Sequence, residues 1–162
     1  MFNKIFSGVS GYGLLPLRIA VGIIFIAHGA QKLFPVLGGG GLAMTIQNFQ
    51  QYLGIPAFLT VVVALTEFLG GIALIAGALT RLASLGLFLN MVVATYLVHW
   101  NNGLFLNWYC NPPTQGHGIE YNLVLIGATL ALFISGAGKC AVDNIFFKET
   151  PDAASEKVSP KG

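Results

Sequence analysis

The chain has 162 residues, 55% of them hydrophobic and 9% charged, with a mean hydropathy of +0.75, whereas a soluble domain carries about 25% charged residues. Its formal net charge of +2, with no clustered basic run, excludes the electrostatic footprint of a nucleic-acid binder. Two cysteines, Cys110 and Cys140, with no CxxC pairing, argue against a dithiol oxidoreductase, which needs two thiols within reach of each other. The composition predicts an all-α polytopic membrane protein: a four-helix bundle with an interfacial or re-entrant helix between the first and second spans.

The first span runs from about Gly13 to Phe34 and stops before Pro35, which cannot continue a helix. It contains LRIAVGIIFIAHGAQKLF, long enough for the roughly 20 apolar residues a crossing needs. That length exceeds a signal-peptide core, so the segment reads as an uncleaved first transmembrane helix. Arg18, His28 and Lys32 lie within it. Ionisable groups inside a span are costly and face a bundle interior or a cavity.

Val36 to Pro56 holds four consecutive glycines and then LAMTIQNFQQYL. That stretch is too short and too polar to span, and reads as an amphipathic helix along the bundle's edge, an ordinary loop being the plainer alternative. The second span, Ala57 to Leu79, carries Glu67 near its middle, roughly 15 Å down the helix axis. The third, Leu82 to Trp100, follows after almost no linker, so the two form an antiparallel hairpin. Asn101 to Gly118 is a polar, aromatic loop with Trp108, Tyr109, Pro112, Pro113 and His117. The fourth span, Ile119 to Ser135, ends at Gly136-Ala137-Gly138. Residues 1–147 form the transmembrane domain, with Phe146 and Phe147 expected at the interface. Residues 148–162 are polar and lack aromatics, which predicts a disordered cytoplasmic tail.

Lys4, Arg81, Lys139, Lys148, Lys157 and Lys161 fall on one side of this arrangement and Lys32 on the other. The positive-inside rule therefore predicts both termini inside and both long loops outside. Cys110 and Cys140 then lie on opposite sides and do not form a disulfide. His28, Lys32, His99, His117 and Glu120 converge on the outer leaflet beside Trp108 and Tyr109. Arg18 enters from the inner side, where it snorkels to the headgroups or pairs with Glu67. Gly22 and Gly29, Gly70 and Gly77, and Gly71 with Glu67 mark packing faces of small residues. Glu120, Gly127 and Gly138 are expected to form a similar stripe. The histidines read as hydrogen-bonded interfacial groups before metal or haem ligands, and the tryptophans as an aromatic belt. No metal site is expected, and no GxSxG, HExxH, P-loop or Rossmann pattern occurs.

The segments LRIAVGIIFIAHGAQKLF, TEFLGGIALIAGALTRLASLG and GIEYNLVLIGATLALFISGAGKCAVD, in that order, resemble the three signature segments of the DoxX family. The resemblance spans most of Leu14 to Asp143 through Arg18, His28-Gly29, Lys32, Glu67, Gly70-Gly71, Arg81, Glu120 and Asp143. It implies a four-helix membrane protein of a family commonly labelled as membrane oxidoreductases. Some relatives belong to quinone-linked systems; others partner soluble redox enzymes or assist maturation of periplasmic proteins. The longer outer loop, with Trp108, Tyr109, Cys110 and His117, departs from the family pattern.

Together these features suggest a redox subunit of the bacterial inner membrane whose outer-leaflet cavity holds a quinone or small phenol, with no covalent cofactor. Glu67 and His28 are the candidate catalytic groups. Arg18, Lys32, His99, Trp108, Tyr109, His117 and Glu120 are the candidate ligand-binding groups. The expected partners are the bilayer, another membrane or periplasmic redox protein, and a second copy of the chain. The rival readings are a non-enzymatic scaffold or maturation partner and, less favoured, a small-molecule carrier, which lacks the usual internal repeat.

Overall fold

An apolar run broken by Pro35 forms the first helix, α1 (Leu14–Leu33), in a computed structural model that describes residues 12–110 and 112–146. The expected tail, residues 148–162, lies outside the described residues, as do Lys4 and Phe147. The amphipathic stretch is helical: α2 (Gly41–Leu53) closes on Gly54 in the left-handed conformation. Thr45 Oγ1 ties it to α1 by donating to the Lys32 carbonyl at 3.2 Å. The plainer loop alternative is therefore excluded.

The hairpin consists of α3 (Ala57–Ala76) and α4 (Thr80–Ala94). α3 ends three residues earlier than expected because Gly77 adopts φ +66° and turns its N–H back onto the helix's last carbonyls. The third helix continues past α4 as a π turn, Thr95–His99, and a short 3₁₀ turn, Trp100–Asn102. α5 (Glu120–Ser135) and a single turn, α6 (Asp143–Phe146), are the last elements among the described residues. Among the described residues there is no strand.

Three helical stretches are long and apolar enough to cross a membrane: Leu14–Leu33, Ala57–Ala76 and Thr80–Asn102. α5 has 16 residues, or about 24 Å of helix, short of the roughly 30 Å hydrocarbon core. Exposed Ile23, Phe58, Val62, Leu89, Val124 and Ile134 cover the outside of the bundle. Such an apolar exterior is what lipid requires and what water disfavours.

Inside, Val21, Phe25, Leu74, Leu87, Met91, Leu125 and Leu132 form the core. α1 packs along α3 and α4 along α5, with α3 against α4 joining the two pairs. Small residues set the first contact: a Cβ on Gly71 would lie 2.7 Å from the Gly22 carbonyl, and one on Gly29 would strike the Phe68 backbone. That close approach fixes the register of α1 against α3. Phe34 meets Phe68 edge-on at 5.7 Å just above it. The expected stripe on α5 does not form. Gly127 is exposed, and a Cβ there would meet nothing within 4 Å.

Candidate functional site

Two polar regions sit at opposite ends of the bundle. At the end formed by the α3–α4 turn, Arg18 is fully buried. Its guanidinium donates to the carbonyls of Ala137 and, at 2.8 Å, Cys140. Asp143 accepts the N–H groups of Leu79 at 2.6 Å and Thr80 at 3.0 Å, so it caps α4 at its electropositive end. Val142 and Asp143 in turn donate to the carbonyls of Ala76 and Gly77 at the end of α3. Burial pushes the Asp143 carboxyl up, but the N–H donors of Thr80 and Leu79 and the Arg18 charge outweigh it. The group is held below the ordinary carboxylate range. Arg18 therefore neither snorkels nor pairs with Glu67: it is occupied by backbone at the closed end.

Glu67 is paired instead with Lys32, whose ammonium donates to Oε2. Asn90 of α4 donates to Oε1 at 2.8 Å. One buried carboxylate thus joins α1, α3 and α4, with each oxygen engaged, which meets the condition for a charge to persist away from water. Gly29 makes this possible, since a side chain there would hold α1 and α3 too far apart.

Above this triad opens a cavity of about 450 Å³, lined by Lys32, Glu67, His28, His99, His117 and Trp108, among others. Phe25, Met91, Ala94, Leu106 and Leu125 make most of the remaining wall apolar. His28 has no hydrogen bond to any described residue. The π turn widens the third helix at Thr95–His99 and brings His99 to the cavity; such turns recur at functional sites. On the facing helix Asn122 donates to Thr95 Oγ1 at 3.1 Å, tying α5 to that turn.

The loop after Asn102 covers the cavity as a hydrogen-bonded flap. Ile119 and Glu120 donate their N–H groups to Gly103 and Leu104 at 3.0 and 2.8 Å. Glu120 also accepts the Leu106 N–H on its carboxylate at 3.0 Å. Asn107 donates to the carbonyls of Pro112 and Gln115, and Gln115 to that of Asn102. This dense backbone pairing holds Trp108 and His117 at the cavity's mouth.

Of the residues singled out from sequence, the cavity brings together His28, Lys32, Glu67, His99, Trp108 and His117. Glu120 is beside it but serves the loop, and Tyr109, 93% exposed, points away. Arg18 belongs to the opposite end. A model of the DoxX family matches residues 13–100 of the chain. This chain belongs to the DoxX family.

Its relatives agree with that assignment. An uncharacterized protein of Haemophilus influenzae is 35% identical over 85% of this chain and 93% of its own. The "Putative oxidoreductase CatD" of Bacillus subtilis is 29% identical over 84% and 88%. The inner membrane protein YqjF of Escherichia coli is 29% identical over 85% and 94%. No solved structure matches. The DoxX chain described here is a membrane protein with apolar spanning helices.

Four residues of this DoxX site escaped the sequence reading: Asn90, Thr95, and Tyr121 and Asn122, which also line the cavity. Asn90 did leave a signal, an amide alone in the apolar run LGLFLNMVVA, because polar side chains within spans are retained where they bond to a neighbouring helix. Tyr121 and Asn122 look like ordinary first-turn residues, and only the packing of α5 on the π turn reveals them. Among the described residues no group of three metal-ligating side chains comes together.

Proposed function

We propose that this DoxX protein is a multi-pass subunit of a quinone-linked redox system in the bacterial inner membrane, its cavity holding the head group of a quinone or small phenol. The supporting observation is a cavity of about 450 Å³ that sets Lys32 and Glu67, the latter held from behind by Asn90, and three histidines into a largely apolar wall. That size lies within the range of small-molecule sites, and a few polar groups in an apolar wall suit an aromatic head with an apolar tail. Arg81 and Lys139 lie toward the closed end, so the positive-inside rule puts that end in the cytoplasm and the cavity toward the outer leaflet. α5 with its flanking residues makes the fourth span. The name of the Bacillus subtilis relative favours redox chemistry over transport.

In this reading Lys32 donates to a ligand oxygen, and His28, with no hydrogen bond to any described residue, exchanges protons with it. Glu67 holds Lys32 in place and takes part in proton transfer once the ligand draws Lys32 away. The test is native mass spectrometry of gently extracted protein, together with solvent extraction of its bound lipids. A co-purifying quinone, with linked respiratory activity reduced by His28→Ala or Glu67→Gln, is the expected result. A stoichiometric protein partner with no quinone would instead make the chain a scaffold or maturation partner.

A further inference from the structure

The two histidines at the cavity mouth have their tautomers set by the loop that covers it. His99 Nδ1 lies 2.9 Å from the His117 carbonyl oxygen. A carbonyl only accepts, so Nδ1 carries the proton, and in the neutral ring Nε2 is left as a bare acceptor. His117 Nδ1 lies 3.1 Å from the backbone nitrogen of Asn107. A backbone N–H only donates, so here Nδ1 is the acceptor and Nε2 carries the proton. No described residue bonds to either Nε2. His117 thus fixes both rings, its carbonyl orienting His99 while its own imidazole is oriented by Asn107.

The cavity therefore presents one imidazole acceptor and one imidazole donor of fixed polarity. Of the other polar groups on its wall, Asn122 spends an Nδ2–H on Thr95 and keeps its amide oxygen as an acceptor, and the Tyr121 hydroxyl both donates and accepts. Glu67 is engaged at both oxygens, Lys32 only donates, and His28 has neither ring nitrogen fixed and adapts to either kind of ligand. The geometry points to a preference for the reduced, hydroxyl-bearing form of the ligand, a quinol or phenol, over the quinone. A hydroxyl can donate to His99 Nε2 and accept from His117 Nε2–H. A quinone oxygen only accepts, so it meets His99 lone pair to lone pair unless that ring gives up its bond to His117. The preference is then set by about one hydrogen bond, which corresponds to about five- to tenfold in affinity. The inference rests on the quinone-site reading and adds the redox form and the residue that selects it.

Two measurements on the full chain in lipid nanodiscs test it. Nitrogen-15 NMR of histidine-labelled, ligand-free protein should show an Nδ1–H ring that is lost in His99→Asn and an Nε2–H ring that is lost in His117→Asn, with the signal of the third histidine, His28, kept in both variants. Titration with a short-chain benzoquinone and with its quinol should show about five- to tenfold tighter binding of the quinol. His99→Asn, which keeps a donor near Nδ1 but has no group at the Nε2 position, should bring the two affinities together. The wild-type ratio needs no variant to fold. An Nε2–H ring at His99, or equal wild-type affinities, overturns this proposal while the quinone-site reading stands. If neither form binds, both fall.

Discussion

At the closed end of the bundle Arg18 and Asp143 direct their hydrogen bonds to backbone groups of Ala137, Cys140, Leu79 and Thr80. At the loop end Lys32, Glu67, His28, His99 and His117 face a cavity. Both regions take charge out of water, and each satisfies it in a different way. The closed end uses charge to complete helix termini that would otherwise carry unpaired N–H and C=O groups within an apolar environment. The loop end pairs side chain with side chain and leaves ring nitrogens uncommitted. A charge bonded to backbone acts as a fastener, whereas one bordering a cavity remains available to a ligand.

This contrast breaks down if substitutions at the closed end alter binding more than stability. Arg18→Met should have the largest effect, about 3 kcal/mol, since the buried carbonyl of Ala137 and the partly buried one of Cys140 lose their donor. Denaturant unfolding in detergent measures it, and ligand affinity of the folded fraction should be unchanged. Glu67→Gln should cost about 1.5 kcal/mol by the same assay, because Lys32 loses its counter-ion while Asn90 keeps an acceptor. Unlike Arg18→Met, it should also weaken quinol binding about tenfold or more. An unchanged affinity would assign Glu67 to the structural class.

Asp143→Asn should cost about 1 kcal/mol through the lost charge at the start of α4. Its pH dependence sharpens the comparison. The folded carboxyl titrates below its ordinary value, so the unfolded chain binds its proton first as the pH falls. The stabilisation is complete above the ordinary carboxylate range and is lost as pH drops toward the lowered folded value. Unfolding midpoints measured across that acid range should slope less in the variant. Glu120→Gln should have the smallest effect, about 0.5 kcal/mol, because a neutral oxygen still accepts the Leu106 N–H. Hydrogen exchange at Leu106 should stay close to wild type in Glu120→Gln and rise in Glu120→Ala, which removes the acceptor.

Much of the fold was legible because apolar length and periodicity are local signals. The run around Leu17–Phe34, the break at Pro35 and the polar stripe in LAMTIQNFQQYL each announce their element. Gly22, Gly29 and Gly71 were legible as packing positions for the same reason. Gly127 shows the limit: heptad spacing tells which residues share a helix face, but not whether that face meets a helix or the outside. The ends of elements shifted where backbone conformation intervened, as at Gly77.

The partner of Glu67 was illegible in a more instructive way. Arg18 and Lys32 stand at opposite ends of α1, and composition gives no reason to prefer either. The choice depends on the axial register of α1 against α3, which the contacts of Gly22 with Gly71 and of Gly29 with Phe68 decide. Arg18 then falls beside Asp143 and the chain after α5, residues remote in sequence.

From the residues alone follow the all-α membrane architecture, the helix between the first two spans, and the set of polar side chains with a cost to explain. Apolar length and periodicity are local properties of the chain, so they can be read from sequence. Tertiary structure alone decided that Lys32 and Asn90 hold Glu67, that Arg18 fastens the other end, and that His99 and His117 carry opposite tautomers. Ion pairs and hydrogen bonds depend on angles and on fractions of an ångström, and those are set by helix register and loop path.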